Sequence, residues 1–349
     1  MSPTALQSPP CAPEILRRSR ALVAPALAQA VGSLHPWVAE MAGYALGDCE
    51  VGGAPATGAR GKGVRQALAL LGAEAAGGPA EAGVPGAVAV ELVHTFSLLH
   101  DDIMDGDALR RGRPAVWKAY GTGPAVLAGD ALFALAVETL AAAPAGVRTG
   151  GAVRQLTTAL GDLVRGQADD LVFAGRPWTG PGAVGVAEYE VMAEGKTGAL
   201  LGAALSLGAQ LAGATGEMAA MLDGVGRHLG VAFQIADDLL GIWGDPAVTG
   251  KPVHGDLRQG KKTLPVLAAL KAPGGAALAR LLASESALDD VGVHRAAALV
   301  ERAGGRAAAE REARRHLASA EGLLADASLA PDAAGRLRTL LSSLAERTV

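Results

Sequence analysis

Residues 97–114 read SLLHDDIMDGDALRRGRP. Asp101, Asp102 and Asp105 close an apolar run there, and Arg110 and Arg111 follow. On a helix, Asp101 and Asp105 share one face, where like charges at this spacing are destabilising. A cation held between them removes that repulsion. Carboxylate oxygens in small number suit Mg²⁺, which takes one or two carboxylates and completes its shell with phosphate oxygens and water. Arginines beside such a site add bidentate phosphate binding. The stretch points to a metal-bound phosphate ester, with a solvated, charged helix end as the plain alternative.

A second stretch, FQIADDLLGIWGDP over residues 233–246, repeats the arrangement. Asp237 and Asp238 end another apolar run, although aspartate is unfavourable at the negative end of a helix dipole. Two such helices facing each other would set carboxylates on opposite walls of one cavity. Metal ions bridged by a diphosphate would neutralise both walls. The basic residues gather in loops, Lys62 and Arg65 in GKGVR, Lys251 in TGKP, and Lys261 with Lys262 in GKKTLP, while Lys196 beside Thr197 in EGKTG lies inside or at a kink of a helix. Each alone reads as surface charge. Their recurrence beside glycine or threonine suits two anionic groups, one held on metal ions and one on cationic side chains.

The elements that must position these residues read as helices. A chain of 349 residues has room for roughly two average domains. Half of it is hydrophobic and only 3% aromatic, so the core is aliphatic and small-residue-rich. A net charge of −4 argues against nucleic acid as partner. Two cysteines, Cys11 and Cys49, suggest a reducing, cytoplasmic setting without a disulfide framework. Residues 1–13 lack the positive n-region of a signal peptide and read as a disordered tail. Residues 198–216 carry no charge. Their length would admit a membrane span, but their Gly, Ala and Ser content reads as a buried helix.

Glycine and proline fall between helical patterns, and no strand alternation stands out. Helices are predicted near 14–34, just after Pro36, and near 64–76, 86–105, 124–143, 149–175, 185–213 and 216–243. Shorter ones follow near 263–271, 275–284, 289–303, 306–326 and 331–346. Residues 107–123 read as irregular. The whole is predicted to be one all-α domain over 14–349, a large helical bundle.

Taken together, the motifs resemble the trans-isoprenyl diphosphate synthases, the polyprenyl synthetase family. The resemblance rests on Gly61-Lys62-Gly63-Val64-Arg65, on His94 followed by DDIMD and Arg110-Arg111-Gly112, and on Gly166-Gln167 with Asp170. It continues through Lys196-Thr197, Phe233-Gln234 with Asp237-Asp238, Lys251, and Asp256 to Pro265. It implies helices around a deep apolar cavity, a homodimer, and Mg²⁺ with three ions per site. The implied substrates are isopentenyl diphosphate and an allylic diphosphate, with no nucleic acid and no stable membrane insertion. By position, Asp101, Asp105 and Asp237 would hold Mg²⁺ on the allylic diphosphate, supported by Asp102 and Asp238. Arg110, Lys196 and Lys251 would bind the same diphosphate. Lys62, Arg65, His94 and Arg111 would bind isopentenyl diphosphate, with Lys261 among the substrate-binding residues. Gln234 and Thr197 would line the reacting region. The implied reaction is head-to-tail chain elongation through an allylic carbocation, with no side-chain nucleophile.

At a rise of about 1.5 Å per residue, Phe96 lies roughly 7.5 Å below Asp101 along the helix axis. Val93 and Val90 lie one and two turns further down. The resemblance implies that bulk at the fifth and fourth positions before the first aspartate shortens the product. One aromatic, Phe96, beside a small Ser97 is similar to geranylgeranyl diphosphate synthases and implies a twenty-carbon product. Three positions depart from the family pattern: Gly241 replaces the third aspartate of the second motif, Gln66 a proline and Asp107 a serine. A class I terpene cyclase is disfavoured, because its second metal motif begins with asparagine and this chain has none. A non-catalytic subunit is disfavoured because the first motif and the lysines are intact.

Overall fold

The computed structural model describes residues 11–56, 61–143, 149–245, 253–283, 288–325 and 329–345. Proline opens the first two helices. Pro13 stands in the first turn of α1 (Ala12–Gly32), and Pro36 starts α2 (Pro36–Leu46), where its fixed φ is already helical. The helix thus begins just before Pro13, and the last two residues assigned to a disordered tail belong to it; residues 1–10 lie outside the described residues. There follow α3 (Val64–Ala75), a 3₁₀ turn (Ala80–Gly83) and α4 (Val84–Met104).

Residues 107–123, expected to be irregular, contain a hairpin of β1 (Leu109–Arg110) and β2 (Arg113–Pro114), and then α5 (Val116–Tyr120). Strands of two residues are too short to show alternation, which is why the sequence hides them. Next come α6 (Thr122–Ala141), α7 (Thr149–Ala174) and α8 (Val186–Ala193). A π-helical turn (Glu194–Gly198) separates α8 from α9 (Ala199–Leu211), and α10 (Gly216–Trp243) follows. The remaining helices are α11 (Gly255–Arg258), α12 (Leu264–Lys271), α13 (Ala276–Leu282), α14 (Asp290–Arg302), α15 (Gly305–Ala325) and α16 (Pro331–Ala345). The fold is all-α, as the helical patterning predicts.

Residue contacts divide the chain into two compact units, 1–157 with 203–223 and 326–343, and 158–202 with 224–325 and 344–349. In the first, α4 packs against α6 and α3, and α1 lies along α3 and α4. Its core is aliphatic: Leu68, Leu71, Leu92 and Leu132 are almost fully buried, each contributing about 1.5–3 kcal/mol of apolar transfer. In the second, Tyr189, Ile235, Leu264 and Leu267 share one core cluster, and Ile242, Val266, Leu278 and Val300 share another.

The charge-free window at 198–216 forms α9, whose residues 199–209 are buried. At 13 residues it is shorter than the ~20 needed to span a bilayer. Two other helical stretches, Ala80–Met104 and Thr122–Ala141, are long and apolar enough to cross a membrane by length and composition alone. The abundance of small residues in α9 has a packing cause. A Cβ on Gly208 would lie 1.8 Å from the Ala69 carbonyl oxygen on α3. Gly208→Ala is therefore expected to destabilise the chain by about 1–3 kcal/mol, read as a lower urea midpoint with unchanged slope.

Candidate active site

In the first unit, α4 delivers Asp101 and Asp102 in its last turns, and Asp105 caps it. The two aspartates of the pair have different surroundings. Asp101 and Asp105 are partly exposed, whereas Asp102 is buried. Both Asp102 oxygens accept from Arg110 Nε at 2.8 Å, and Oδ1 also accepts from Arg110 Nη2 at 2.5 Å. Burial pushes the Asp102 carboxyl upward, and the Arg110 contacts oppose that rise.

The hairpin that supplies Arg110 is tightly held. The Arg110–Arg113 pair closes a two-residue turn in which Arg111 (φ 53°) and Gly112 (φ 76°) are both left-handed. Such turns match hairpin twist and favour Gly, Asn or Asp, so Arg111 occupies a conformation that costs about 1 kcal/mol or more. Arg113 secures the strand. Its Nη2 donates to the Cys49 carbonyl at 2.8 Å and to Glu50 Oε2 at 2.9 Å, and its guanidinium lies over the Tyr44 ring. The Tyr44 hydroxyl donates to the Pro114 carbonyl at 2.8 Å.

This anchoring directs Arg111 at the glycine-rich loop, where a Cβ on Gly61 would meet Arg111 Nη2 at 3.0 Å. Arg65 at the start of α3, His94 on α4 and Arg111 form one electropositive group, which exposed Lys62 adjoins in sequence. Burial first, then the charges of Arg65, Arg111 and Arg110, hold the His94 imidazole well below its ordinary range, so it is neutral at pH 7. Glu91, one turn before His94, is the missing countercharge. Burial raises its carboxyl, while Arg65, a hydrogen bond from Gln66 and Arg111 lower it. Gln66, which departs from the family pattern, is therefore a partner of Glu91. Glu91 is the sole acidic residue between Val84 and His100, and that isolation was its sequence signal.

Below Asp101, Val93 and Val90 are fully buried. Phe96 projects towards α6, with its ring 4.8 Å from His100 and 5.8 Å from Phe133, centroid to centroid. The Ser97 hydroxyl donates back along α4 to the His94 carbonyl at 2.9 Å.

The second unit repeats the division between paired aspartates. Asp237 on α10 is exposed and Asp238 is buried. Asp238 Oδ2 accepts from the Tyr189 hydroxyl at 2.6 Å and from the Leu264 amide at 3.0 Å, and Oδ1 accepts from Gln234 Nε2 at 3.1 Å. Gln234 Oε1 in turn accepts from Thr197 Oγ1 at 2.7 Å. Thr197 and Gln234 thus form a relay that orients Asp238. Burial and then Asp256 push the Asp238 carboxyl up to about 7, against those hydrogen bonds.

Lys196 and Thr197 project from the π-helical turn, a distortion frequent at functional sites. Lys196 Nζ lies 2.5 Å from Asp170 Oδ2 on α7. Also on α7, neither side-chain polar atom of buried Gln167 has a hydrogen-bond partner among the described residues. A buried amide left so is costly, which marks Gln167 as a group that completes its bonds on a ligand or water.

Gly241 has a structural explanation. A Cβ there would fall 2.0 Å from Asp256 Oδ2. The carboxylate of Asp256, in the first turn of α11, stands against the position that the third aspartate of the motif would use. Lys261 follows α11 and is partly exposed; Lys251 lies outside the described residues. Asp101 and Asp105 in the first unit, and Asp237 in the second, each offer hard carboxylate oxygens, the donor type that suits Mg²⁺.

The family model for polyprenyl synthetase matches residues 54–298. A geranylgeranyl diphosphate synthase from Mycobacterium tuberculosis is 46% identical over 320 residues, covering 91% of this chain and 90% of that one. A (2E,6E)-farnesyl diphosphate synthase from Mycobacterium bovis is 43% identical over 340 residues, covering 95% and 92%. The crystal structure of a polyprenyl synthetase from Streptomyces coelicolor superposes with a TM-score of 0.89 at 45% identity, covering 95% of this chain and 99% of that one. The chain belongs to the polyprenyl synthetase family. It is a polyprenyl synthase, and its family acts on isoprenyl diphosphates.

Proposed function

We propose that this chain condenses isopentenyl diphosphate head-to-tail with an allylic diphosphate in a Mg²⁺-dependent reaction whose main product is geranylgeranyl diphosphate. The observation that carries the reading is the repeated pair: each acidic helix sends one aspartate outward and locks the next into the protein. Asp101, Asp105 and Asp237 would hold the ions; when bound, Mg²⁺ supplies positive charge for the departing diphosphate. Lys196 and Lys251 add cationic charge to that group. Arg110 acts through Asp102, fixing the end of α4. Lys62, Arg65, His94 and Arg111 hold isopentenyl diphosphate, with neutral His94 donating a hydrogen bond rather than a charge.

The bond from the allylic carbon to diphosphate oxygen breaks, the double bond of isopentenyl diphosphate attacks the resulting cation, and a proton then leaves to the released diphosphate. No side-chain base is required. The protein's contribution is positioning, charge stabilisation and exclusion of water. Chelation with EDTA is expected to abolish turnover, and Mg²⁺ to restore it.

The twenty-carbon product rests on Phe96 and on the relatives, whose names divide between geranylgeranyl and farnesyl synthases. In Phe96→Ala the chain is expected to form products of twenty-five carbons and longer, read by reversed-phase separation after labelling with isopentenyl diphosphate. An unaltered distribution overturns Phe96 as the floor. A homodimer is part of the reading, supported by Val126, Leu127 and Phe133, large apolar side chains of α6 that are 39–51% exposed in the single chain.

A further inference from the structure

Away from the acidic stretches, four titratable groups of the second unit converge. Glu312 and His316 lie one turn apart on α15, Glu190 comes from α8 and His228 from α10. One ligand atom from each of Glu190, Glu312 and His316 lies within 4.8 Å of the others. His316 Nε2 is 3.6 Å from Glu312 Oε1, and the residue is only 6% exposed.

The hydrogen bonds fix the imidazole. Arg315 Nη2 lies 3.1 Å from His316 Nε2, and a guanidinium can only donate. Nε2 therefore accepts, and the ring proton sits on Nδ1. His316 Nδ1 is 3.0 Å from His228 Nδ1, so it donates there. A histidine whose Nε2 faces two carboxylates while Nδ1–H is held by a neighbour has the orientation of a metal ligand.

The place between the three ligands already attracts a cation. The Arg315 guanidinium contacts Glu312 and stands 3.6 Å from Glu190 Oε1. Its side chain is 53% exposed, so it can turn out to solvent.

We propose that Glu190, Glu312 and His316 form a second, regulatory or structural metal site for a divalent transition ion of the Zn²⁺ or Co²⁺ class, with Arg315 as the cation that the metal displaces. One imidazole and two carboxylates favour these ions over Mg²⁺. Binding joins α8 to α15 through the ion.

The test uses the full chain, stripped with chelator and held in saturating Mg²⁺, titrated with Co²⁺ and followed by visible absorption. One Co²⁺ per chain is expected with ligand-field bands. His316→Gln is expected to lose the bands, and Arg315→Gln to tighten binding by at least about tenfold, since a competing charge is gone. Asp101→Ala is expected to keep the bands. Zn²⁺ is expected to raise the melting temperature of the wild type and Arg315→Gln but not of His316→Gln, whose circular dichroism shows whether it folds. Bands that survive in folded His316→Gln, or vanish in Asp101→Ala, place the ion elsewhere and overturn the proposal. So does the absence of binding in Arg315→Gln.

Discussion

Asp101→Ala is expected to lower the rate of prenyl transfer by about 10³-fold or more, on the scale of losing a principal electrostatic contact to the leaving group. Asp101 is partly exposed in the final turns of α4 and shares its face with Asp105. Asp102 cannot take over, because both of its oxygens are occupied by Arg110. The loss should fall on kcat and on the Mg²⁺ requirement, with little change in melting temperature. Asp102→Ala should behave in the opposite sense. It leaves Arg110 without its buried partner, a change worth about 3–5 kcal/mol of stability, so unfolding precedes any kinetic reading. Equal stability losses in the two variants would contradict the division of roles within the pair.

Gly241→Asp restores the common form of the second acidic motif, and it is expected to damage the enzyme. The new Cβ would lie 2.0 Å from Asp256 Oδ2. Asp256 has to swing away, and a second carboxylate enters beside Asp238, whose carboxyl burial and Asp256 already raise to about 7. Overpacking of this kind costs about 1–3 kcal/mol, and the added negative charge raises that figure. Activity at limiting Mg²⁺ is expected to fall by about ten- to a hundredfold, corresponding to roughly 1.4–2.7 kcal/mol. Removing the obstruction in Gly241→Asp/Asp256→Gly should recover most of the stability, because one carboxylate again occupies one place. A single Gly241→Asp variant more active than the wild type would show that Gly241 is a defect rather than an accommodation of Asp256.

Much of this site was legible in the sequence, since charged residues on apolar helices are hard to explain otherwise. Asp101 with Asp105, and the helix of 216–243 carrying Asp237, read directly from apolar runs ending in carboxylates. The helices after Leu264 read from their Gly and Pro boundaries. Other features depend on contacts between residues distant in the chain. Tyr189 reaching Asp238 spans 49 residues, and Lys196 reaching Asp170 spans 26. The split between an outward and a buried aspartate cannot be read from a DD dipeptide, because both residues are chemically identical. The hairpin at 109–114 was hidden by its brevity, whereas EGKTG read as lying inside or at a kink of the helix 185–213, and the π-helical turn at Glu194–Gly198 is that kink. Gly241 read as a lost carboxylate; only the position of Asp256 shows what fills the space.

The most direct measurement is product analysis of the purified chain alone, with Mg²⁺, labelled isopentenyl diphosphate and, in turn, dimethylallyl, geranyl and farnesyl diphosphate. Linear all-trans geranylgeranyl diphosphate from at least one primer is the predicted result. Released hydrocarbons would indicate a cyclase, and no turnover with any primer a subunit awaiting a partner; either result contradicts the account.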